Sequence, residues 1–596
     1  MAPVAVATCG LPCHLAILIT IDSTDYSEPS IFLSVLFGWH AMKILSVAAI
    51  VVALVETGRA GTVVAAEIRV PAHFKSIQAA VDASNEGDVI IVAPGIYHER
   101  IRFKLNVTLR SAGGNEKGKI GLNRAETTII DGGGEDGEGP GVAMAEGATL
   151  DGFTVTNVGT YDDESWNRHF KTQGEEQAHE PIGQPGTGGI GVVGVTCVIR
   201  NNIVHHIGYS GIAIMGVDGE RCSPHVINNV CYRNMGGGIA CMKKSTAIVE
   251  ENTCFENFYA GIGHDDASPL IIRNSCYGNV RAGIGISEGS KPVVRQNRCF
   301  KNRRAGIGVR TGSTTRPIIE DNDCFENDMA GIGAREESAP IIRDNRCYKN
   351  ALAGIGSRTH ARPKIIGNEC YENKETGIGQ MSDAQTVLIG NHCHHNGKSG
   401  IGFAACKSGR ASVLNNRVVD NKLVAVGINP GWIVTLSGNE LSRKGGLPPI
   451  VMVFAGSEAN FTNNVIRGEG VAGIRAAGVV RADNNSFEGL TLRKVGPPNF
   501  GVWALKGAKV TLLNNRFSNW RHALHASESE SLFSGNTINN FHKTAVVINK
   551  PSRPPVVTVN KAVSSEKLAN VATIDGMPLE AGDNRIGNPS NREPDQ

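Results

Sequence analysis

Arginine recurs at one position of a repeated segment, two residues after the second glycine of a Gly-Ile-Gly triplet. The three residues at this position are Arg310, Arg335 and Arg358. A guanidinium group binds a carboxylate or sulfate through two parallel hydrogen bonds, whereas stacked arginines repel one another unless acids or a ligand compensate their charge. The column therefore predicts a binding site for an anionic polymer, or else a solvated face that Glu336 and Glu337 neutralise.

Two adjacent aspartates, Asp265 and Asp266, stand at the lower end of the same column, directly after His264. Paired carboxyl groups can act as general acid and general base, so both aspartates are candidate catalytic residues. Aspartate is also a frequent turn-forming residue, and that alternative stays open.

The longest segment without the repeat, residues 159–186, is rich in aromatic and acidic side chains. Long excursions from a regular scaffold often carry function. Trp166 and Tyr161 are candidates for stacking on sugar rings, and Tyr259, just before an Ala-Gly-Ile-Gly segment, could extend an aromatic platform. The acids of this segment are of the type that binds Ca²⁺, the one candidate cofactor, although a mobile acidic excursion fits the composition as well.

A histidine pair lies further along the chain, in the segment His392-Cys393-His394. Alternation along a strand places both imidazoles on the same outward side, and imidazole is a ligand of Cu²⁺ and Zn²⁺. The sequence offers no third ligand, so a solvated surface is the favoured interpretation and metal delivery a weaker alternative.

These residues belong to a repeat of about 23 residues with the pattern Asn-x-Cys-x-x-Asn-x-x-Ala-Gly-Ile-Gly. Asparagine at a turn tolerates the left-handed backbone conformation, and its amide can bond the asparagine of the next turn. The first asparagine column contains Asn229, Asn252, Asn274, Asn297, Asn322, Asn345, Asn368 and Asn391. An isoleucine column that includes Ile262 must point inward, so we expect its glycine neighbours, such as Gly261 and Gly263, to face outward.

Each repeat holds three short β-like runs and no stretch with a helical period. Three strands per turn, stacked with equivalent residues about 4.8 Å apart, describe an all-β fold, a right-handed parallel β-helix. We place this coil at 67–560, with the most regular turns at 187–440.

The cysteines form a column of their own, from Cys231 to Cys393. Parallel Cβ vectors about 4.8 Å apart exceed the separation that a disulfide requires, so these side chains are predicted to be buried apolar filler. Other cysteines lie off the column and could include a bridge: Cys197, Cys222, Cys241 and Cys406.

Composition and charge narrow the classes of function. The 59 Lys and Arg residues against 57 Asp and Glu residues leave a net charge of +2, which disfavours a nucleic-acid partner. The 72 glycines follow no Gly-X-Y period and accompany abundant Ile and Val, which excludes collagen and argues against disorder.

The repeat, with the rung-like segment Leu150-Asp-Gly-Phe-Thr-Val-Thr-Asn157, resembles the pectate-lyase-like right-handed β-helix superfamily. It is closest in style to bacterial right-handed β-helix region proteins. The resemblance implies an N-terminal capping helix at 73–84. The superfamily includes hydrolases that use paired carboxylates. It also includes lyases that use Arg or Lys as the base, with Ca²⁺ or an acid to neutralise the uronate, so the resemblance makes Arg335 a candidate catalytic base. The catalytic motifs of polygalacturonases, pectinesterases and alginate epimerases are absent.

The sequence thus predicts a protein that binds an acidic polysaccharide along its glycine-lined face and could cleave it by lyase or hydrolase chemistry. Arg310, Arg335 and Arg358 would hold the carboxylates, with Tyr259, Trp166 and Tyr161 as further substrate-binding residues. A non-catalytic solenoid for adhesion or partner binding is the alternative from another class.

The two ends of the chain carry separate predictions. Met42-Lys43, an apolar run from Ile44 to Val55 and small residues up to Ala66 indicate a signal peptide at 42–66, and hence export to the periplasm, cell surface or medium. The run is too short for a membrane span, which needs about 20 residues. Residues 1–41 have no assigned role and are interpreted as an over-extended start, with a real second hydrophobic segment around Ile31 to Phe37 as the alternative. Residues 561–596 are interpreted as a C-terminal tail, disordered at its end.

Overall fold

The computed structural model describes residues 65–134, 139–174, 188–566, 569–579 and 582–587. Within these residues the chain forms a parallel β-solenoid with three long sheets. The interpretations of residues 1–41 as an over-extended start and of nearly all of 42–66 as a signal peptide lie outside the described residues.

Each turn of the solenoid contributes one strand to each sheet, and strands one turn apart pair in parallel register, as Ile284 does with Ile307. The first sheet contains Glu67–Val70, Val89–Val92, Thr108–Ser111, Thr149–Asp151, Val198–Arg200, His225–Ile227, Ile248–Glu250, Leu270–Ile272, Val293–Arg295, Ile318–Glu320, Ile341–Arg343, Lys364–Ile366, Gln385–Ile389, Gly409–Leu414, Trp432–Ser437, Glu458–Thr462, Val479–Asp483, Lys509–Leu513, Glu530–Ser534 and Val556–Thr558. The second sheet contains Gly95–His98, Thr128–Asp131, Thr154–Val158, Ile203–Ile207, Val230–Tyr232, Thr253–Phe255, Ser275–Tyr277, Arg298–Phe300, Asp323–Phe325, Arg346–Tyr348, Glu369–Tyr371, His392–His394, Arg417–Val419, Glu440–Arg443, Val465–Gly468, Ser486–Gly489, Arg516–Ser518, Thr537–Asn539, Lys561–Val563 and Arg585–Gly587. The third sheet contains Ile101–Arg102, Val142–Ala143, Ile190–Val193, Ile212–Met215, Ile239–Met242, Ile262–Asp265, Ile284–Ser287, Ile307–Val309, Ile332–Ala334, Ile355–Ser357, Ile378–Gln380, Ser399–Phe403, Val424–Ile428, Val451–Val453, Ala472–Ala476, Phe500–Ala504, His522–Ser527, Thr544–Asn549, Asn570–Ile574 and the antiparallel Met577–Pro578.

The predicted asparagine ladders are present inside the turns between sheets. The side-chain amide and the backbone N–H of Asn345 both donate to Oδ1 of Asn368, each at 2.9 Å. The same pattern links the ladder asparagines from Asn202 to Asn584. The left-handed backbone falls on the residue before the ladder asparagine, such as Asp344 with φ of 56°, and not on the ladder asparagine as the turn argument assumed. The ladder residue is thereby free to turn its amide inward.

The cysteine column is buried and reduced, as predicted. All eight of its members are fully buried and free. Burial raises the pKa of thiols such as Cys254 and Cys299 well above the ordinary value, so they are neutral packing groups. The off-column cysteines of the described chain are free as well.

Of the two glycines in each Gly-Ile-Gly segment, both of which were expected to face outward, only the second does so. A Cβ on Gly306 would lie 2.7 Å from the carbonyl oxygen of Gly331 and 2.9 Å from the amide of Asn327, because this glycine faces the crowded corner of the coil. Gly333, after the buried isoleucine of its turn, faces outward and a Cβ there would meet nothing within 4 Å. Gly261 and Gly354 are inward like Gly306.

Three short helices interrupt the described coil: α1 (Ile77–Ala83), α2 (Asn123–Thr127) and α3 (Asp163–Lys171). Helix α1 begins after Ser76, whose side chain accepts a hydrogen bond from the N–H of Ala79 at 3.2 Å. It lies within the predicted 73–84 segment, whose role as a cap stays a prediction. Helix α3 lies in the predicted 159–186 insertion, of which residues 175–186 are outside the described chain. No helix of the described residues is long and apolar enough to cross a membrane.

The coil extends past residue 560, where the loss of the sequence repeat had placed its end. Lys561–Val563 pairs with Thr537–Asn539, and Arg585–Gly587 adds a further strand. The side-chain amide of Asn560 donates to Oδ1 of Asn584 at 2.9 Å, so the asparagine ladder continues there although the repeat motif does not. The tail predicted from residue 561 therefore includes ordered strands.

Candidate functional site

The outward face of the third sheet forms an elongated groove of about 690 Å³. Its floor is poor in side chains, because one column is glycine and the neighbouring one is mostly alanine. These columns are Gly263, Gly285, Gly308, Gly333, Gly356 and Gly379, and Ala260, Ala282, Ala305, Ala330 and Ala353. Each rung of the floor therefore offers backbone and methyl groups to a ligand.

Arginines border this floor at both ends of the short strands. At the edge where the strands begin, the bordering residues are Tyr259, Arg281, Arg304, Met329 and Leu352. At the opposite edge they are Ser287, Arg310, Arg335, Arg358 and Met381. Beyond the arginines the groove lining includes exposed apolar side chains, Leu352, Met381 and Leu423, together with polar residues such as Glu375 and Lys398.

Arg335 sits among like charges. Its Nε lies 3.2 Å from Oε1 of Glu336, the neighbour that the sequence named as a neutralising acid. Burial lowers the pKa of Arg335, Glu336 opposes this shift, and Arg358 and Arg310 lower the pKa further. Arg358 is exposed and forms no ion pair with the described residues. Glu336 therefore compensates the charge of Arg335 and not that of Arg358.

Arg281, on the facing edge, is a residue that the sequence analysis missed. It is only 7% exposed, and burial together with Arg304 lowers its pKa to about 10. Arg310 and Arg335 also lower it, so the arginines of the two edges act on one another electrostatically. Arg281 was difficult to recognise from the sequence, because its position in the repeat holds a different residue type in almost every turn.

Arginines on the other faces of the coil are compensated by acids one turn away. Arg346 donates two hydrogen bonds to the carboxylate of Asp323, both at 2.7 Å. Arg273 bonds Glu250 and Glu251 at 2.8 and 3.0 Å. Compensation across rungs is thus available to this fold, whereas the acid that pairs with Arg335 in the groove is its own neighbour in sequence, Glu336.

A family model described as "right handed beta helix region" matches residues 184–323, 313–447 and 425–572, more than half of the chain. The chain belongs to the right-handed β-helix family. No curated protein sequence matches it.

Several solved β-helix structures are similar to this chain at low identity. A mutant of the periplasmic alginate epimerase AlgG is 16% identical, with 59% of this chain and 83% of that chain covered and a TM-score of 0.39. The A-module of a mannuronan C-5 epimerase from Azotobacter vinelandii is 14% identical, with 74% and 94% covered and a TM-score of 0.28. A capsular polysaccharide depolymerase, a tailspike protein of an Acinetobacter baumannii bacteriophage, is 11% identical, with 57% and 60% covered and a TM-score of 0.30. At these TM-scores the likeness carries no argument about this β-helix.

Of the predicted aromatic residues, only Tyr259 lines the groove of this β-helix. The guanidinium carbon of Arg281 lies 4.7 Å from the centre of its ring. Trp166 is 4% exposed and packs between Phe170 and Arg233, so little of its ring is left for stacking on a sugar. Tyr161 is outside the groove lining and donates a hydrogen bond to Asp163 at 3.0 Å, so its role in sugar binding stays a prediction.

The insertion that carries these aromatic residues docks beside the groove. Indole Nε1 of Trp166 donates to the carbonyl of Glu256 at 2.9 Å. Arg303 donates to the carbonyl of Phe170 at 3.0 Å and Arg304, a groove residue, to that of Gln173 at 2.8 Å. Its conformation depends on contacts with residues 90 to 133 positions away in the chain, which is why no local pattern revealed it.

Asp265 and Asp266 do not line the groove. Burial raises the pKa of Asp265, as do Glu288 and Asp266, while Arg310 lowers it. Asp266 is exposed with φ of 47°, in a left-handed turn like those at Glu288 and Glu336 of later turns, which agrees with the turn-forming alternative. Among the groove-lining residues the one carboxylate is Glu375, which Lys398 pairs at 2.7 Å. A carboxylate pair facing the floor is therefore missing from the described groove.

A column of stacked rings on the second sheet also escaped the sequence analysis. It contains Tyr232, Phe255, Tyr277, Phe300, Phe325, Tyr348, Tyr371 and His394. Neighbouring ring centres lie 4.9 to 5.1 Å apart. Its signal was present in the repeat, because the residue after each ladder cysteine is aromatic.

Proposed function

We propose that this β-helix binds an acidic polysaccharide in the groove of the third sheet, with Arg310, Arg335 and Arg358 holding its carboxylate or sulfate groups. The observation that carries the proposal is the concentration of arginines on both edges of the groove, which lower one another's pKa. An anionic ligand would relieve the repulsion between these like charges.

The shape of the groove favours an extended polymer over a small anion. The floor runs over successive rungs, each about 4.8 Å from the next, a spacing close to the length of one sugar unit. Glycine and alanine leave room for sugar rings to approach the sheet, and the apolar C–H faces of such rings suit this floor. With a net charge of +2, the chain as a whole gives no comparable attraction for nucleic acid.

Lyase chemistry is a second candidate function, favoured by one observation. An arginine that removes a proton next to a carboxylate must have a lowered pKa. Burial and the neighbouring arginines lower the pKa of Arg335. Hydrolysis by Asp265 and Asp266 has less support, because neither lines the groove. Export through the predicted signal segment at 42–66 would bring the protein to such polymers and remains part of the proposal.

The test is retention of the protein on immobilised acidic and neutral polysaccharides, with and without Ca²⁺. We expect retention on acidic polymers, weakened about tenfold in Arg335→Ala, the loss of one charge-assisted contact. The matched control is Arg273→Ala, which removes an arginine outside the groove and should leave retention unchanged. Failure of every acidic polymer to bind would reject the proposal and favour the non-catalytic scaffold.

Products formed during the same incubation separate binding from catalysis. Unsaturated products that disappear in Arg335→Ala would establish a lyase, and new reducing ends without unsaturation would indicate a hydrolase. Retention without either product would make the protein a binding solenoid.

A further inference from the structure

Three metal-ligating side chains meet on the second sheet, on a different face of the coil from the groove. Oε1 of Glu369 lies 3.7 Å from Nδ1 of His392 and 3.3 Å from Nε2 of His394. The three ligand atoms all lie within 4.8 Å of one another. Glu369 is the third ligand that the sequence did not reveal, because it stands a full turn before the histidines.

The register of the coil explains this meeting. Glu369 pairs with His392 across adjacent strands, and Tyr371 pairs with His394. The residues between them, Cys370 and Cys393, are buried, so all three ligands project from the same outward face.

The separations suit a transition metal. In a tetrahedral site with ligand bonds of about 2.0–2.1 Å, ligand atoms are about 3.3 Å apart, so only a small movement would close this triangle around an ion. Two imidazoles and a carboxylate are a common ligand set for Zn²⁺ and leave one position for water or another ligand.

The histidine rings are already held in place. The ring of His394 stacks on Tyr371 with centres 5.1 Å apart and planes 1° apart, at the end of the aromatic column. Its other nitrogen, Nδ1, lies 2.8 Å from Nδ1 of His395, so both ring nitrogens have defined partners. Such support of the outer nitrogen is typical of histidine ligands.

One cation competes with a metal at this place. Nη1 of Arg417 lies 3.0 Å from Nε2 of His392, and its Nε lies 3.1 Å from Glu440. Arginine can only donate, so Nε2 accepts and the proton of the neutral ring is on Nδ1, facing Glu369. A metal at Nδ1 would require this proton to move to Nε2 and the guanidinium to withdraw toward Glu440.

We propose that Glu369, His392 and His394 bind a single divalent transition-metal ion of the Zn²⁺ class, independently of the groove. Arg417 competes with the ion for His392 and moves toward Glu440 when the ion binds. The site is distinct from Ca²⁺ binding, because two of its three ligands are imidazoles.

The test is titration of the metal-stripped, full chain with Zn²⁺ by calorimetry. We expect one ion per chain, with affinity reduced at least about tenfold in Glu369→Gln and in His394→Phe. His394→Phe preserves the ring column, which holds phenylalanine at Phe300 and Phe325. The control His225→Ala removes a histidine paired with Glu250 elsewhere on the coil and should leave the affinity unchanged.

Arg417→Met is expected to change the affinity for Zn²⁺ in the opposite direction. Removing the competing cation should tighten Zn²⁺ binding severalfold, with the melting temperature of the metal-free chain verifying the fold of each variant. The proposal would be overturned by the absence of Zn²⁺ binding to the folded parent, or by equal affinities in the parent, Glu369→Gln and His394→Phe. An affinity for Zn²⁺ that falls in Arg417→Met would contradict the proposed competition between Arg417 and the ion.

Discussion

The role of an arginine on this surface depends on the residue one turn away. Arg346 has Asp323 on the neighbouring rung and forms two hydrogen bonds with it. Arg335 has Arg310 and Arg358 as neighbours, and both lower its pKa. Like charges at successive rungs raise the energy of the unliganded surface, and an anionic ligand lowers it.

Arg358→Ala should weaken retention on an acidic polysaccharide about tenfold, because the variant lacks the exposed guanidinium and its charge-assisted contact to the ligand. The loss should shrink in concentrated salt, which screens exposed charges. Affinity chromatography at two ionic strengths measures both effects. Arg346→Ala is the control, and an equal loss in that variant would show that attraction is a property of the whole surface.

His264 makes the stability of the coil dependent on pH. It is buried inside the third sheet, and burial lowers its pKa from 6.5 to about 4. Between these values the unfolded chain binds a proton that the folded chain excludes, so its contribution to stability is complete above pH 6.5 and is lost as pH falls toward 4. The shift corresponds to about 3 kcal/mol.

His264→Ile, which copies Ile286 of the next turn, should therefore lose less stability than the parent between pH 7 and pH 4. Urea unfolding at a series of pH values, followed by circular dichroism, measures the difference. Parallel curves for the two proteins would contradict the assigned pKa.

Residues that recur with the repeat could be predicted, and residues outside it could not. Arg310, Arg335 and Arg358 share a column, so their common edge followed from spacing alone. Trp166 lies in an insertion whose docking is set by remote partners such as Glu256, and composition wrongly suggested an exposed sugar-binding ring.

At the scale of the element, ladders fix the register of the turns. Each ladder asparagine donates its backbone N–H and its amide to the next rung while its own Oδ1 accepts from the rung before, as in Asn322, Asn345 and Asn368. A shift of one residue would leave these buried groups without partners, so the ladder selects one register.

Asn345→Ala should lower the free energy of unfolding by about 2–4 kcal/mol, because buried groups on both neighbouring rungs lose partners. Asn460→Ala, on the outward face of the first sheet, should change it by less than about 0.5 kcal/mol. Thermal or urea unfolding of both variants measures these changes. Equal losses of stability in the two variants would contradict the stabilising role of the ladder.

Helix α3 should detach from the coil without unfolding it. Trp166→Ala removes the centre of a small cluster that includes Phe258 and Val280, separate from the main core. We expect faster proteolysis within residues 159–174, with little change in the melting temperature of the coil. Loss of the coil's own transition would show that the insertion is an integral part of the fold.

At the scale of the whole molecule, repetition turns a short sequence pattern into long surfaces. The three sheets carry an apolar floor bordered by arginines on one face and a column of aromatic rings on another. The solenoid itself followed from the period, whereas the continuation past residue 560 did not, since only the ladder asparagines Asn560 and Asn584 persist there. The direction of Gly306 also required three dimensions, because strand alternation breaks at the corner of the coil.

The most direct test of the groove as an acidic-polymer site compares two triple variants of equal charge. One replaces Arg310, Arg335 and Arg358 by alanine. The other replaces three ion-paired arginines of other faces, Arg273, Arg343 and Arg346.

Equilibrium binding of a polyuronate, and of the same polymer with its carboxyl groups reduced, is measured for each. We predict a loss of at least about a hundredfold for the groove variant, near-parental binding for the control variant and no binding of the reduced polymer. Equal binding by the two variants would contradict the account.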